Sequence, residues 1–248
     1  MSIAEKLTTI AENEQKVYEA GYNKGKSEGG GDSYYDTFWD SVQANGTLTN
    51  YQRRFMGRAW NVNTFNPKHT IAPVSSAYYM FHYFNHSNPT PIDLSEFDFD
   101  WSGLKAFSSV FADSNISDTG FIDGSNATSF NQTFATNDGG YIGKVTLKTN
   151  ENATYSNILL NNNTTPIFIV TEDSVIGKDF SASYSSKLTA ESVRSILLAL
   201  KDYSGTENEL VYKVTLHATA WATVNADSVA PPIGENWQEY VTAKGWKY

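Results

Sequence analysis

The stretch PIDLSEFDFDWSGLKAFSSVFADSN, residues 91–115, holds an alternating apolar run (IDLSEF, 92–97), two phenylalanines four positions apart (Phe107 and Phe111) and a polar corner. Alternation with period two marks a strand, whereas apolar residues at i and i+4 meet on one face of a helical turn. A strand phrase, a helical-turn phrase and a turn of Asp, Ser and Asn in so short a span form either one βα fragment of an ordinary domain or one unit of a repeat.

The rest of the chain favours the repeat. The pair Phe107/Phe111 recurs as Phe130/Phe134, Tyr155/Leu159 and Phe180/Tyr184, at steps of 23, 25 and 25 residues. Backwards, Met80/Phe84 and Phe55/Ala59 continue the series, giving six units. Between the pairs lie β-favouring runs: TIAPV (70–74), IDLSEF (92–97), GFID (120–123), KVTLK (144–148) and IFIVT (167–171). One such unit cannot bury its own apolar face. Stacked units can, each pair packing on the next while the strands form a parallel ladder. The expected body is an α/β solenoid of short parallel strands over residues 55–186.

Composition sets the function classes. A chain of 248 residues, 40% hydrophobic and 14% aromatic, has ample material for a core. Its net charge of -9, with no long basic run, argues against a phosphate-binding face, so no nucleic-acid partner is expected. There is no cysteine, hence neither a disulfide framework nor a thiolate metal site. The start MSIAEKLTTIAENEQ lacks the basic opening and continuous apolar core of a Sec signal peptide. No window approaches the roughly 18 apolar residues of a membrane span, so no membrane insertion is expected.

Residues 1–26 read as a coiled-coil-like helix, because Ile3, Leu7, Ile10 and Val17 fall on heptad steps with Glu14 at the remaining core position. A helix this short is marginal alone, and the Gly-rich linker 27–33 detaches it from the rest of the chain, so it is expected to oligomerise, a trimer being preferred. Residues 34–54 read as an N-terminal cap, with a short amphipathic helix, DTFWDSV (36–42), ended by Asn45-Gly46. Residues 187–248 read as a C-terminal cap. There Thr189 is the expected helix N-cap, Leu188 and Val193 form a hydrophobic staple, and Val193, Ile196, Leu197 and Leu200 cover the last open unit. The run 210–224 is expected to add one or two strands.

The phrase at residues 92–111 resembles the BspA-like leucine-rich repeat of bacterial surface proteins, with its Leu-Asp-Leu-Ser strand, Phe-Asp turn and closing Phe pair. The layout of a short N-terminal helix, WDSVQANGT, degenerate repeats, KLTAESVRSILLAL and AKGW also resembles leucine-rich-repeat proteins of phages and prophages of gut Firmicutes. The resemblance implies an irregular leucine-rich-repeat solenoid behind the N-terminal helix. It further implies a tail-fibre or receptor-binding component, located in a virion or extracellularly.

Chemistry-bearing motifs are sparse. His82 and His86 stand four apart without the companion carboxylate of a zinc motif, and read as a surface or packed pair. Asp93, Asp98 and Asp100 lack the spacing of a calcium loop. No phosphate loop or dinucleotide fingerprint occurs. No metal, cofactor or catalytic residue is expected, and the chain reads as a non-enzyme. The expected partners are a host cell-surface glycan or protein, and other particle proteins joined through the N-terminal helix. Candidate binding rings are Trp60, Tyr78, Trp101 and Trp221, since flat amphipathic rings stack on sugars and anchor interfaces; each fits the core equally well. The alternative functions are a structural scaffold or spacer of the particle, or a bacterial surface adhesin.

Overall fold

The computed structural model describes residues 77–248, except 87, 96–98 and 156. The helix 1–26 with Ile3, Leu7, Ile10 and Val17, the linker, the N-terminal cap, Phe55/Ala59, the run 70–74 and Trp60 all lie outside the described residues.

Short parallel strands stack into a β-solenoid of about three turns. Strands β1 (Ile92–Asp93), β2 (Asn115–Asp118), β3 (Phe121–Asp123), β4 (Tyr141–Ile142), β5 (Lys144–Lys148) and β6 (Ile167–Val170) form two three-stranded sheets, ordered β1-β2-β4 and β3-β5-β6. Ile92 pairs with Ile116, Ile116 with Ile142, and Phe121 with Thr146. A further edge is made by the parallel bridges Ala106–Ser129 and Ser129–Thr154. The alternation read in KVTLK and IFIV is real, for Val145, Leu147, Phe168 and Val170 point inward and their neighbours outward. Each coil carries more ladder than the sequence disclosed. NISD and the pair Tyr141–Ile142 also form strands, while among the described residues of the first run Ile92 and Asp93 do.

The i, i+4 pairs do stack, but on successive β-turns rather than on helical turns. In the second coil Ala112 and Ser114 close bonds to the carbonyls of Ser109 and Phe111, three residues back. The N–H groups of Phe107, Ser109, Phe111 and Asp113 point along the solenoid axis instead, to Ser129, Asn131, Thr133 and Ala135. A helix would consume those donors internally; here they bind the next coil. Left-handed residues recur through these turns: Tyr79/Tyr83, Ser109/Asp113 and Asn157/Asn161, each pair four apart, have φ between 51° and 57°, and Gln132 has φ 53°. Left-handed backbone costs a non-glycine residue roughly 1–2 kcal/mol, which the inter-coil bonds offset.

Two ring columns fill the interior. One runs Phe81, Phe111, Phe134, with centroids 5.4 and 5.6 Å apart and nearly parallel planes. The other runs Phe107, Phe130, Tyr155, Phe180 at 5.0, 5.7 and 5.6 Å. Two register expectations need correction. The partner of Phe111 in the preceding coil is Phe81, not Phe84, because Tyr79, Phe81 and Tyr83 donate to the carbonyls of Ser108, Val110 and Ala112. Phe84 is buried beside Phe81, its carbonyl accepting from Asn115. Tyr184 is 52% exposed and does not join the column. The chain after Phe180 runs on as strand β7 (Phe180–Ala182), and Phe168 of β6 fills the place, 5.7 Å from Phe134 and 6.2 Å from Phe180.

After β7, helix α1 (Ala190–Leu198) is N-capped by Thr189, which accepts from Ser192 N, and it buries Val193, Ile196 and Leu197 against β6. Strand β8 (Val214–Leu216) pairs in parallel with β7. The end of the run 210–224 falls in helix α2 (Ala218–Asn225), not a second strand; His217 caps it by accepting from Thr219 N. Helix α3 (Trp237–Ala243) starts at Asn236, whose Oδ1 accepts from the backbone N–H of Glu239 and whose Nδ2 donates to Glu239 Oε1. The chain then returns so that Trp246 donates to Lys201 O at 2.7 Å. No helix among the described residues is long and apolar enough to cross a membrane.

Candidate functional site

The first described coil carries bulky rings where later coils carry small polar residues. By the inter-coil bonds, Tyr79 stands over Ser109 and Tyr83 over Asp113. Ser109 and Asp113 are 4% and 2% exposed, buried although they occupy the outward positions of their turn.

The rings form a continuous strip. Tyr78 and Tyr79 centroids lie 4.0 Å apart, Tyr79 and His82 4.7 Å, His82 and Tyr83 4.2 Å, and Tyr83 and His86 5.3 Å edge to face. Tyr78 is 40% exposed, and Tyr79, His82, Tyr83 and His86 are half-buried. Left-handed backbone at Tyr79 and Tyr83 sets this arrangement, since it turns the chain between successive rings.

Two aspartates from the neighbouring coils stand behind the strip. Asp113 Oδ2 is 3.7 Å from His82 Nε2, and Asp113 Oδ1 accepts from Asp138 N at 2.9 Å. Tyr83 donates its hydroxyl to Asp138 Oδ2. His86 Nδ1 donates to the Asp113 carbonyl at 2.8 Å. Three coils therefore contribute to one cluster. Burial pushes the His82 imidazole below its ordinary pKa, and Asp113 and Asp138 offset this only in part; His82 Nδ1 is buried with no hydrogen-bond partner among the described residues. The bond to Asp138 holds the Tyr83 phenol protonated, its pKa pushed up to about 12. The cluster thus offers ring faces, a neutral phenol and carboxylates.

Of the rings singled out from sequence, Tyr78 lies in this strip. Trp101 is 1% exposed, wedged against Phe99, Phe107 and Phe111 at 5.1, 5.8 and 5.9 Å, and presents no face to a ligand. Trp221 is half-buried on α2, edge to face with Tyr248 at 5.8 Å. Sequence patterning does not single out Tyr79, Tyr83, Asp113 or Asp138. The density of rings in AYYMFHYFNH (77–86) is the available signal, but a helical-turn reading assigns those rings to the core.

No family model, no curated protein and no solved structure matches the chain.

Proposed function

We propose that the chain is a non-enzymatic receptor-binding protein, a tail-fibre or adhesin component of a phage or phage-like particle, whose stacked coils hold a rigid face toward a cell-surface ligand. The observation that carries the reading is the ring strip of Tyr78, Tyr79, His82, Tyr83 and His86, fixed to a ladder of three coils. Tyr78, 40% exposed, and the half-buried rings beside it stand on a backbone locked by inter-coil bonds and lose little entropy on binding, which favours recognition. A phenol kept protonated and a buried imidazole suit binding better than proton transfer at neutral pH.

Kinship with BspA-like leucine-rich repeats belongs to the same proposal. It is supported by the phrase at 92–111 and by bridge steps of 23 and 25 residues, Ala106 to Ser129 to Thr154, within the roughly 20–29 residues of such units. The N-terminal seam Ile3, Leu7, Ile10 and Val17 would gather the chains, a trimer being preferred, and join them to other particle proteins. The test is binding of the labelled full-length chain to a panel of gut Firmicutes. Saturable binding to some strains and not others is expected. Absence of binding to every strain would leave a scaffold or spacer as the reading.

A further inference from the structure

The three helices among the described residues are capped by different side chains. A hydroxyl, Thr189, caps α1 and an amide, Asn236, caps α3; neither gains or loses a proton between about pH 5 and about pH 8. Helix α2 begins instead at an imidazole. His217 Nδ1 accepts the N–H of Thr219 at 3.1 Å, and the His217 carbonyl accepts the N–H of Trp221 at 3.2 Å as the first bond of the helix. Accepting at Nδ1 uses that nitrogen's lone pair, so the single proton of the neutral ring sits on Nε2. A second proton turns both ring nitrogens into donors, which leaves the Thr219 N–H without its acceptor and sets a cation at the positive end of the helix dipole. The first turns of α1 and α3 carry Glu191 and Glu239, whereas that of α2 carries no acid to balance such a charge.

We propose that His217 is a proton-sensitive cap, whose protonation releases the first turn of α2 in mild acid while the stacked coils hold. The release is confined to that turn, because the far end of α2 is anchored. Val224 is buried, Asn225 bonds Gln238 and the Trp237 N–H, and Asp227 pairs with Arg194 of α1. The freed turn carries Trp221, packed edge to face on Tyr248 at 5.8 Å, and Tyr248 follows Lys247, whose backbone bonds to Tyr212 and Val214. Uncapping therefore loosens the ring contact that ties α2 to the edge of β8. The groups charged near neutral pH on the elements around α2 are Lys187 and Lys213 on the adjoining loops, Glu191 and Arg194 of α1, Glu239 of α3, and Lys247. Arg194 is taken by Asp227, and no ion pair among the described residues includes His217, so the imidazolium has no carboxylate to offset the lost cap.

The experiment follows the Thr219 N–H of the full-length chain by NMR-detected hydrogen exchange from about pH 7.5 to about pH 5, the span in which imidazoles titrate, with rates corrected for intrinsic exchange. Wild type is compared with His217→Asn, His217→Ala and His82→Asn. Wild-type protection of Thr219 should fall about fivefold across that span, the scale of one lost N-cap, with the midpoint of the His217 ring resonances. His217→Asn, which caps without titrating, should keep Thr219 protected at both ends, and His217→Ala should leave it unprotected at both. The Ile169 amide, bonded within the ladder, should keep its protection throughout, and His82→Asn should leave the Thr219 profile unchanged. The inference is overturned if wild-type protection of Thr219 ignores pH, or if the decline survives His217→Asn or vanishes in His82→Asn. A midpoint that differs from that of the His217 ring also overturns it, as does a Thr219 amide unprotected even at the upper end of the span, which would remove the cap itself.

Discussion

Ser192 Oγ accepts the N–H of Phe168 at 2.9 Å and donates to the carbonyl of Pro166 at 3.2 Å, so a helix side chain stands where the next strand's backbone would stand. Ser195, one turn on, accepts from Val170 N at 3.1 Å. Helix α1 thereby ends the β6 ladder chemically as well as sterically. An open edge of unpaired N–H groups is a template for aggregation, and these two serines close it.

Replacing Ser192 by Ala should therefore leave the buried Phe168 N–H unsatisfied and cost about 1–3 kcal/mol, read from urea denaturation. The double variant with Ser195→Ala should lose more and aggregate at lower temperature. A midpoint unchanged in both variants would show that the edge is satisfied in another way.

Phe130 sits mid-column between Phe107 and Tyr155 and is fully buried, whereas Tyr184 is 52% exposed. Phe130→Ala should cost about 3–5 kcal/mol, while Tyr184→Ala should fall within about 0.5 kcal/mol of wild type. Comparable losses in the two variants would contradict the column as described.

Close approach of coils sets a third expectation. A Cβ at Gly177 would lie 2.3 Å from Glu151 O, a backbone atom that has no freedom to yield. Gly177→Ala should destabilise by about 1–3 kcal/mol, the scale of overpacking. A neutral or stabilised melting curve would count against that contact.

The pH dependence comes from His82. Its folded pKa lies below the unfolded value of 6.5, with burial as the leading cause, so the unfolded chain takes up the proton first as pH falls. Stability contributed by this residue is present above pH 6.5, declines as pH drops below it, and levels off once the folded imidazole also protonates. Denaturant unfolding from about pH 7.5 to about pH 5 should show that decline, and His82→Asn should reduce it. A slope unaffected by the substitution would remove His82 from the explanation.

The parallel ladder, the inward residues of KVTLK and IFIV, the column Phe107, Phe130, Tyr155 and the Thr189 cap were legible because each rests on a local period or a local side-chain bond. The β-turn form of the ring pairs was not. An i, i+4 pair meets on one side in both geometries, and the choice depends on whether backbone donors bond within the coil or to the next one. The ring strip stayed hidden for the same reason, since left-handed backbone at Tyr79 and Tyr83 is not encoded by glycine. Tyr184 misled because the Phe180 spacing continued the period after the fold had changed to a strand pair with β8.

Every feature of the account, the ring strip included, depends on the coils stacking in parallel in one register, and a cysteine-free chain allows a direct test. Thr146 pairs with Ile169, both side chains pointing outward, while Ile167 pairs with Lys144 and so lies two residues out of step with Thr146. Cα atoms of directly paired residues fall within disulfide reach, about 4.4–6.8 Å, and a two-residue offset lies beyond it. Under mild oxidation the variant Thr146→Cys with Ile169→Cys should form an intramolecular disulfide and melt at higher temperature than its reduced form, while Thr146→Cys with Ile167→Cys should remain reduced. Faster crosslinking of the offset pair, or none in the matched pair, would contradict the solenoid.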